Sequence, residues 1–578
     1  MMDPALQELL ASAPPAEEAE AVVLVQPGCD PPPPARPIAR FGDVVTCRLS
    51  VGAIVAVHDD ACVMSLKASR LVSAADAVPC ADPAIAPDDA RAEAPPLATG
   101  RGVVLAFLDW GCDFAHPNFR RADGSSRLLA LWDQRRPTRA VNRYGYGTIH
   151  DARTIDAALR QRDPYAALGY HPAESLPRGG GGTHGTHVMD IGAGCGSPRG
   201  IAPDADLIFV HLAARDNPLI GGLGDSVRLL EAVDFVRGTA GTRPWVISMS
   251  LGRTGGDHTG RSIVERALDA VVEEDSGRCV TLSGGNYFSR HLHVSGWMRP
   301  AGTTTLDWII DRRDITPNEM EVWYPGRDTF GLSLIAPAGE RFTVELGAAA
   351  DIVVGGRLVG RVYHRARDPL NGDHHVDVFL STSAPAGTWR TELRGVDVVD
   401  GRFHAWIERD LGRRHAQSSF RREQSSPRYT TGTIANGFRT ISVGAFDTVH
   451  GVLPIFSSSG PSRDGRMKPD IVGPGSSIVA ARSTPYGAAP GSGGVITMSG
   501  TSMAAPHVAG TVALMFEAAP RRLRIHETRT LLLGSATPLH TLDPLRAGAG
   551  RLDPVAAVRA ALLVDAEPQP AGDIHAEH

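Results

Sequence analysis

The sequence predicts an α/β protein built on a parallel sheet with helices on both faces, an all-β sandwich set into it, and a small strand-bearing region in front. Three observations carry this. Short apolar runs closed by turn residues (Val103–Leu108, Leu207–His211, Trp245–Met249 and Cys279–Leu282) alternate with helical stretches such as Asp225–Arg237 and Ser262–Glu273, as buried parallel strands and their crossovers do. Between about Trp297 and Arg409 the period changes to two. Leu332 and Leu334, then Phe342, Val344 and Leu346, then Val376, Val378 and Leu380, then Phe403, Ala405 and Ile407 alternate with polar residues. The first pattern then resumes at Thr440–Ala445 and runs to about Leu563.

Taken in order, residues 1–75 hold strand-like runs at Ala21–Val25, Asp43–Leu49 and Cys62–Leu66, with a helical candidate at Val51–Val57. A tract rich in Pro, Ala and Asp over residues 76–99 reads as a linker. The first part of the α/β domain spans 100–296, the β insert 297–430 and the second part 431–563, before a polar tail at 564–578. Turn signals at Pro325-Gly326 and Asn371-Gly372 divide the strands of the insert.

The chain has 578 residues, 42% of them apolar, which is enough for more than one core. A formal charge of −6 gives no nucleic-acid or membrane signature, and no run reaches the ~18 apolar residues of a spanning helix. Met1–Glu20 lacks the basic and apolar stretches of a secretory leader. Seven cysteines without pairwise spacing argue against a disulfide framework and for a reducing compartment, so a cytoplasmic protein is expected.

Three segments bear the chemistry. The first is an apolar strand that delivers Asp109 at its carboxyl end and turns at Gly111, placing a carboxylate on the rim where α/β sheets bind ligands. In the second, four glycines precede Thr183-His184-Gly185-Thr186-His187, which opens a helix. The third is Ser499-Gly500-Thr501-Ser502-Met503-Ala504-Ala505-Pro506, which sets Ser502 at the amino end of an Ala-rich helix whose first turns tolerate Pro506. A serine hydroxyl becomes nucleophilic when an imidazole takes its proton, and a carboxylate fixes that imidazole's tautomer. His184 and Asp109 suit those roles. Asn286, after a strand and Ser283-Gly284-Gly285, offers an amide donor to a developing oxyanion.

The order Asp, His, Ser in these contexts resembles the subtilase family. Gly200-Ile201-Ala202-Pro203, Ser248-Met249-Ser250-Leu251-Gly252, Phe456-Ser457-Ser458-Ser459-Gly460-Pro461 and Lys468-Pro469-Asp470 extend the match over about 102–295 and 432–563. The resemblance implies a serine endopeptidase, acting through an acyl-enzyme, with the triad Asp109, His184 and Ser502 and the oxyanion-hole amide Asn286. Ser250, Leu251 and Gly252 would pair with an extended substrate, and Ser283 and Gly284 would wall its pocket. Catalysis needs no cofactor. Structural calcium stays open, with no residue assignable to it. Partners would be protein or peptide substrates and the chain's own N-terminal region, which resembles the small inhibitor domains that precede many subtilases. Leu131-Trp132-Asp133-Gln134, the Tyr144–Gly147 turn and the β insert look like the clostridial germination subtilases, which carry a jelly-roll insert. Two positions depart from the family: Trp110 replaces the usual Ser or Thr beside the aspartate, and Met189-Asp190 replaces Ala-Gly after the histidine motif.

Other readings compete. His184 and His187 have the spacing of a metal pair, and Asp257-His258 with His291 and His293 look like ligands. The chain also reads as a catalytically weak, subtilase-derived binding protein acting through its insert. The complete triad argues for the enzyme. A serine-carboxyl peptidase would need Glu where His184 stands.

Overall fold

The computed structural model describes residues 2–68, 73–74, 78–79, 97–138, 141–175, 183–212, 226–409 and 417–566. Most of the expected linker, and all but the start of the polar tail, lie outside these. The central sheet has eight strands in the order Ile471–Pro474, Ile441–Phe446, Arg278–Ser283, Trp245–Met249, Val104–Asp109, Asp206–His211, Leu128–Asp133 and Thr148–Asp151. All neighbours are parallel except the last pair. The register sets Asp109 beside His211, Leu108 beside Met249, and Met249 beside Leu282, so the carboxyl ends of the central strands form one rim.

The inner strands read as unbroken apolar runs because both faces are covered. Val104–Asp109 and Trp245–Met249 are buried at every residue. Helix Thr501–Ala518 is buried over most of its length and packs on this sheet beside helix His184–Ala193.

The insert is a β-sandwich. A six-stranded and a five-stranded antiparallel sheet, with strands from His293 to Phe420, enclose a separate core that includes the fully buried Trp308 and Trp389. The alternation seen in the sequence follows: one face of each strand enters this core.

The N-terminal region forms a four-stranded antiparallel sheet with its own small core and two helices, Pro4–Ser12 and Ile54–His58. Strand Arg36–Phe41 escaped the sequence reading because Pro37 interrupts it; it is an edge strand, where a missing N–H is tolerated. Two corrections arise here. Cys29 and Cys62 form a disulfide, where the unpatterned cysteines argued against a disulfide framework. Part of the expected linker is structured, since Val78–Pro79 is a strand.

Three groups of contacts fix this region. Arg48 makes a bidentate pair with Glu231, both buried, at 2.8 Å for each bond. Glu20 meets Arg228 at 3.3 Å. Towards the insert, Arg361 meets Glu8 at 2.9 Å and Lys67 meets Asp368 at 3.4 Å.

Candidate active site

Asp109 ends its strand fully buried, and its Oδ1 lies 2.7 Å from His184 Nδ1. That contact depends on a close approach of helix to turn. Gly185 N donates to Trp110 O at 2.8 Å, and a Cβ on Gly185 would sit 2.7 Å from the carbonyl oxygens of Trp110 and Gly111. Thr186 adds a second stitch, its hydroxyl donating to Gly111 O and accepting from Asp113 N. The imidazole is thereby held against the carboxylate by the first turn of its own helix. Trp110 N donates to Asp109 Oδ1 at 2.6 Å, but Oδ2 has no hydrogen-bond partner among the described residues, as the missing Ser or Thr hydroxyl implies.

Ser502 stands at the start of its helix, at the same rim. Pro506 has no N–H, so the Ser502 carbonyl lacks its helical donor; the Ser250 hydroxyl donates to it at 3.0 Å. Ser250 was expected to serve substrate through its backbone, and its side chain has this further task. Asn286 Oδ1 accepts from both Thr501 N and Thr501 Oγ1 at 3.0 Å, while Thr501 Oγ1 accepts from Gly285 N at 3.1 Å. These bonds orient the amide beside the serine. Thr501 was not singled out in the sequence, although it sits in the nucleophile motif.

His184 Nε2 and Ser502 Oγ are both buried and neither has a hydrogen-bond partner among the described residues. The bond between imidazole and hydroxyl is therefore open in this state, and such bonds commonly close only around substrate.

Leu251–Gly252 forms a short strand paired antiparallel with Ser73–Ala74 of the chain itself. Val78–Pro79 pairs with Met498–Ser499, immediately before the serine. Ser283 is buried, and Gly284 is committed through both backbone groups, its N–H to Val443 O and its C=O from Gly432 N. The loop beyond Gly252 is held by Glu408 of the insert, whose carboxylate accepts from Thr254 N and Thr254 Oγ1 at 3.1 Å and from Gly255 N at 3.0 Å, and pairs with Arg253. Nothing in the local sequence around Glu408 marks it, because its partners lie far away along the chain.

Each histidine of the competing ligand readings has one ring nitrogen engaged within the protein, His291 Nδ1 by the Ser425 hydroxyl. His187 Nε2 faces the carbonyls of Ile478 and Ile496 rather than His184's partners. His258 bonds Thr254 O and stacks on Trp406, while His293 pairs with His404. Asp190, one of the two departures from the family pattern, is a buried tie that accepts from Asn118 Nδ2 and Ala481 N. Glu321, His375 and Asp377 also come together, His375 Nε2 lying 3.0 Å from Glu321 Oε2 and 3.2 Å from Asp377 Oδ1, while Arg365 bonds the other nitrogen of His375 and the other oxygen of Asp377. Burial pushes the Cys47 and Cys279 thiols up to about 12, so neither competes as a nucleophile.

A hydroxyl, an imidazole–carboxylate pair and an anchored amide gathered at the carboxyl ends of parallel strands define the class: an α/β protein equipped for acyl transfer. The subtilase family model matches residues 100–305 and 409–550, more than half of the chain, and the chain belongs to that family. It is 25% identical to the minor extracellular protease Vpr of Bacillus subtilis over 77% of this chain and 49% of that one. It is also 25% identical to the subtilisin-like protease SBT1.9 of Arabidopsis thaliana, over 81% and 64%. The chain thus spans about half to two thirds of the length of these relatives. The structure of the Clostridium perfringens CspB protease superposes with a TM-score of 0.66 at 24% identity, over 81% of this chain and 96% of that one, which establishes a shared fold.

Proposed function

We propose that the protein is a serine endopeptidase whose triad is Asp109, His184 and Ser502, with Asn286 in the oxyanion hole. The observation that carries this is the Asp109–His184 pair facing the rim on which Ser502 and the Thr501-anchored Asn286 stand, in a subtilase chain. His184 takes the Ser502 proton as the hydroxyl attacks the scissile carbonyl, then passes it to the leaving amine; water repeats the cycle to release the acyl group. Asp109 orients the ring and stabilises its cation. The Asn286 side chain and the amide groups at the helix start stabilise the oxyanion. A fluorophosphonate probe should label the wild-type protein and not Ser502→Ala. An unlabelled wild type would favour the second reading, a binding protein acting through the insert.

The N-terminal region acts, on this proposal, as intramolecular inhibitor and first substrate. Its strand Ser73–Ala74 lies on Leu251–Gly252, where an extended substrate would pair, and Val78–Pro79 lies on the strand leading to Ser502. The bonds between Ala74 and Val78 are therefore the candidates for self-cleavage, and Ser502 is fully buried, as a nucleophile beneath a bound chain would be. Intact mass measurement of wild type beside Ser502→Ala tests the cleavage: a cut between residues 74 and 78 in the wild type alone supports it, and full-length chains in both defeat self-cleavage while leaving the inhibitory role. The β insert makes a place near the clostridial germination subtilases the natural one. No helix among the described residues is long and apolar enough to cross a membrane. A cytoplasmic location, expected from the unpatterned cysteines, is not carried forward, because the Cys29–Cys62 disulfide argues for an oxidising compartment.

A further inference from the structure

A cavity of about 430 Å³ lies at the seam of the insert and the α/β domain, remote in role from the triad. Its wall carries four arginines: Arg327, Arg367 and Arg402 from the insert and Arg463 from the α/β domain. Their carboxylate partners are too few. Arg327 and Arg402 share Asp400, Arg463 takes Asp373, and Arg367 has no ion-pair partner among the described residues. Four guanidinium groups thus face two carboxylates. Such an excess around a concave surface raises the local concentration of anions.

The shape supports a ligand rather than a bare surface patch. Trp323 is buried and lines the cavity, with His375 stacked on it at 3.7 Å and the Arg463 guanidinium over its ring at 5.6 Å. His404 also lines it, its Nδ1 engaged by His293. Burial holds the His404 imidazole down to about 3, and the neighbouring Arg463 and Arg402 push the same way. Arg463 is fixed further by donating from Nε to Asp257 O at 2.7 Å. The volume far exceeds the ~30 Å³ share of one water.

We propose that this cavity binds a small multivalent oxyanion, a phosphoryl or polycarboxylate group, held by bidentate arginine contacts from both domains. A ligand so placed would cross-link the insert to the α/β domain. Through Arg463 and Asp257 it would also stiffen the loop behind the Leu251–Gly252 strand.

The test uses the full chain carrying Ser502→Ala, which prevents self-digestion, titrated calorimetrically with pyrophosphate and separately with citrate at matched ionic strength. Saturable one-to-one binding is expected, with affinity reduced at least tenfold in Arg367→Ala/Arg402→Ala and unchanged in Arg390→Ala, an exposed arginine of the insert away from the cavity. Binding of pyrophosphate alone would identify a phosphoryl ligand; equal binding of citrate would identify a polyanion site without phosphate preference. Should the double variant fail to fold, Arg367→Glu alters the unpaired, exposed guanidinium alone and is expected to abolish binding. Absence of saturable heat with both anions, or affinity unchanged by the cavity variants, overturns the proposal.

Discussion

Ser250→Ala offers a direct probe of how the nucleophile is held. Pro506 deprives the Ser502 carbonyl of its helical donor, and the Ser250 hydroxyl replaces it at 3.0 Å in a fully buried setting. Removing that hydroxyl strands a buried carbonyl, at a cost of about 1–3 kcal/mol. Because the carbonyl belongs to the nucleophilic residue, a fall of roughly tenfold in kcat is expected alongside a lower melting temperature. In the Pro506→Ala background the backbone N–H returns, so Ser250→Ala should cost less there. The assay is a double-mutant cycle on kcat for a chromogenic peptide, with thermal melting of the same variants in the Ser502→Ala background. A coupling near 1 kcal/mol is expected, as for groups sharing one partner. Strict additivity in both readouts would refute the reasoning.

Other outcomes follow from the same geometry. Asn286→Ala should lower kcat by about 10²–10³, the effect known for the equivalent amide in subtilisin, with little change in KM; a KM effect alone would make Asn286 a binding residue. Glu408→Gln removes the charge that holds Thr254 N, Gly255 N and Arg253, so KM should rise on the order of tenfold while kcat changes little; an unchanged KM would separate the insert from the cleft wall. Burial depresses several imidazoles, among them His211 to about 3, His258 to about 4, His364 to about 4 and His404 to about 3. The unfolded chain, with histidines near 6.5, then binds more protons, so stability is present above that pH and is lost as pH falls towards 4. Each group adds about 1.4 kcal/mol per pH unit in that window. Denaturant melts at pH 7, 6 and 5 should show a steep decline, and a flat profile would contradict it.

The parallel strands were legible because burial on both faces leaves an unbroken apolar run, and the insert was legible because a sandwich strand buries every second residue. The catalytic candidates were legible for a local reason: Asp109, His184 and Ser502 each sit where one element ends and the next begins, and the turn and helix-start chemistry is written in adjacent residues. Asn286 could be read beside Ser283-Gly284-Gly285 in the same way. What the sequence could not disclose are contacts between residues distant along the chain. Thr501 orients Asn286, Ser250 serves Pro506's missing donor, and Glu408 reaches back from the insert to Thr254. The disulfide was missed because Cys29 and Cys62 meet only once the four-stranded sheet has formed, and no short spacing announces them. Local composition determined which groups the site would contain, since capping, turning and burial act over a few residues. Tertiary structure alone decided how those groups are braced and that Ser73–Ala74 lies on the cleft strand, because hydrogen bonds and ion pairs form between neighbours in space whatever their separation in the chain.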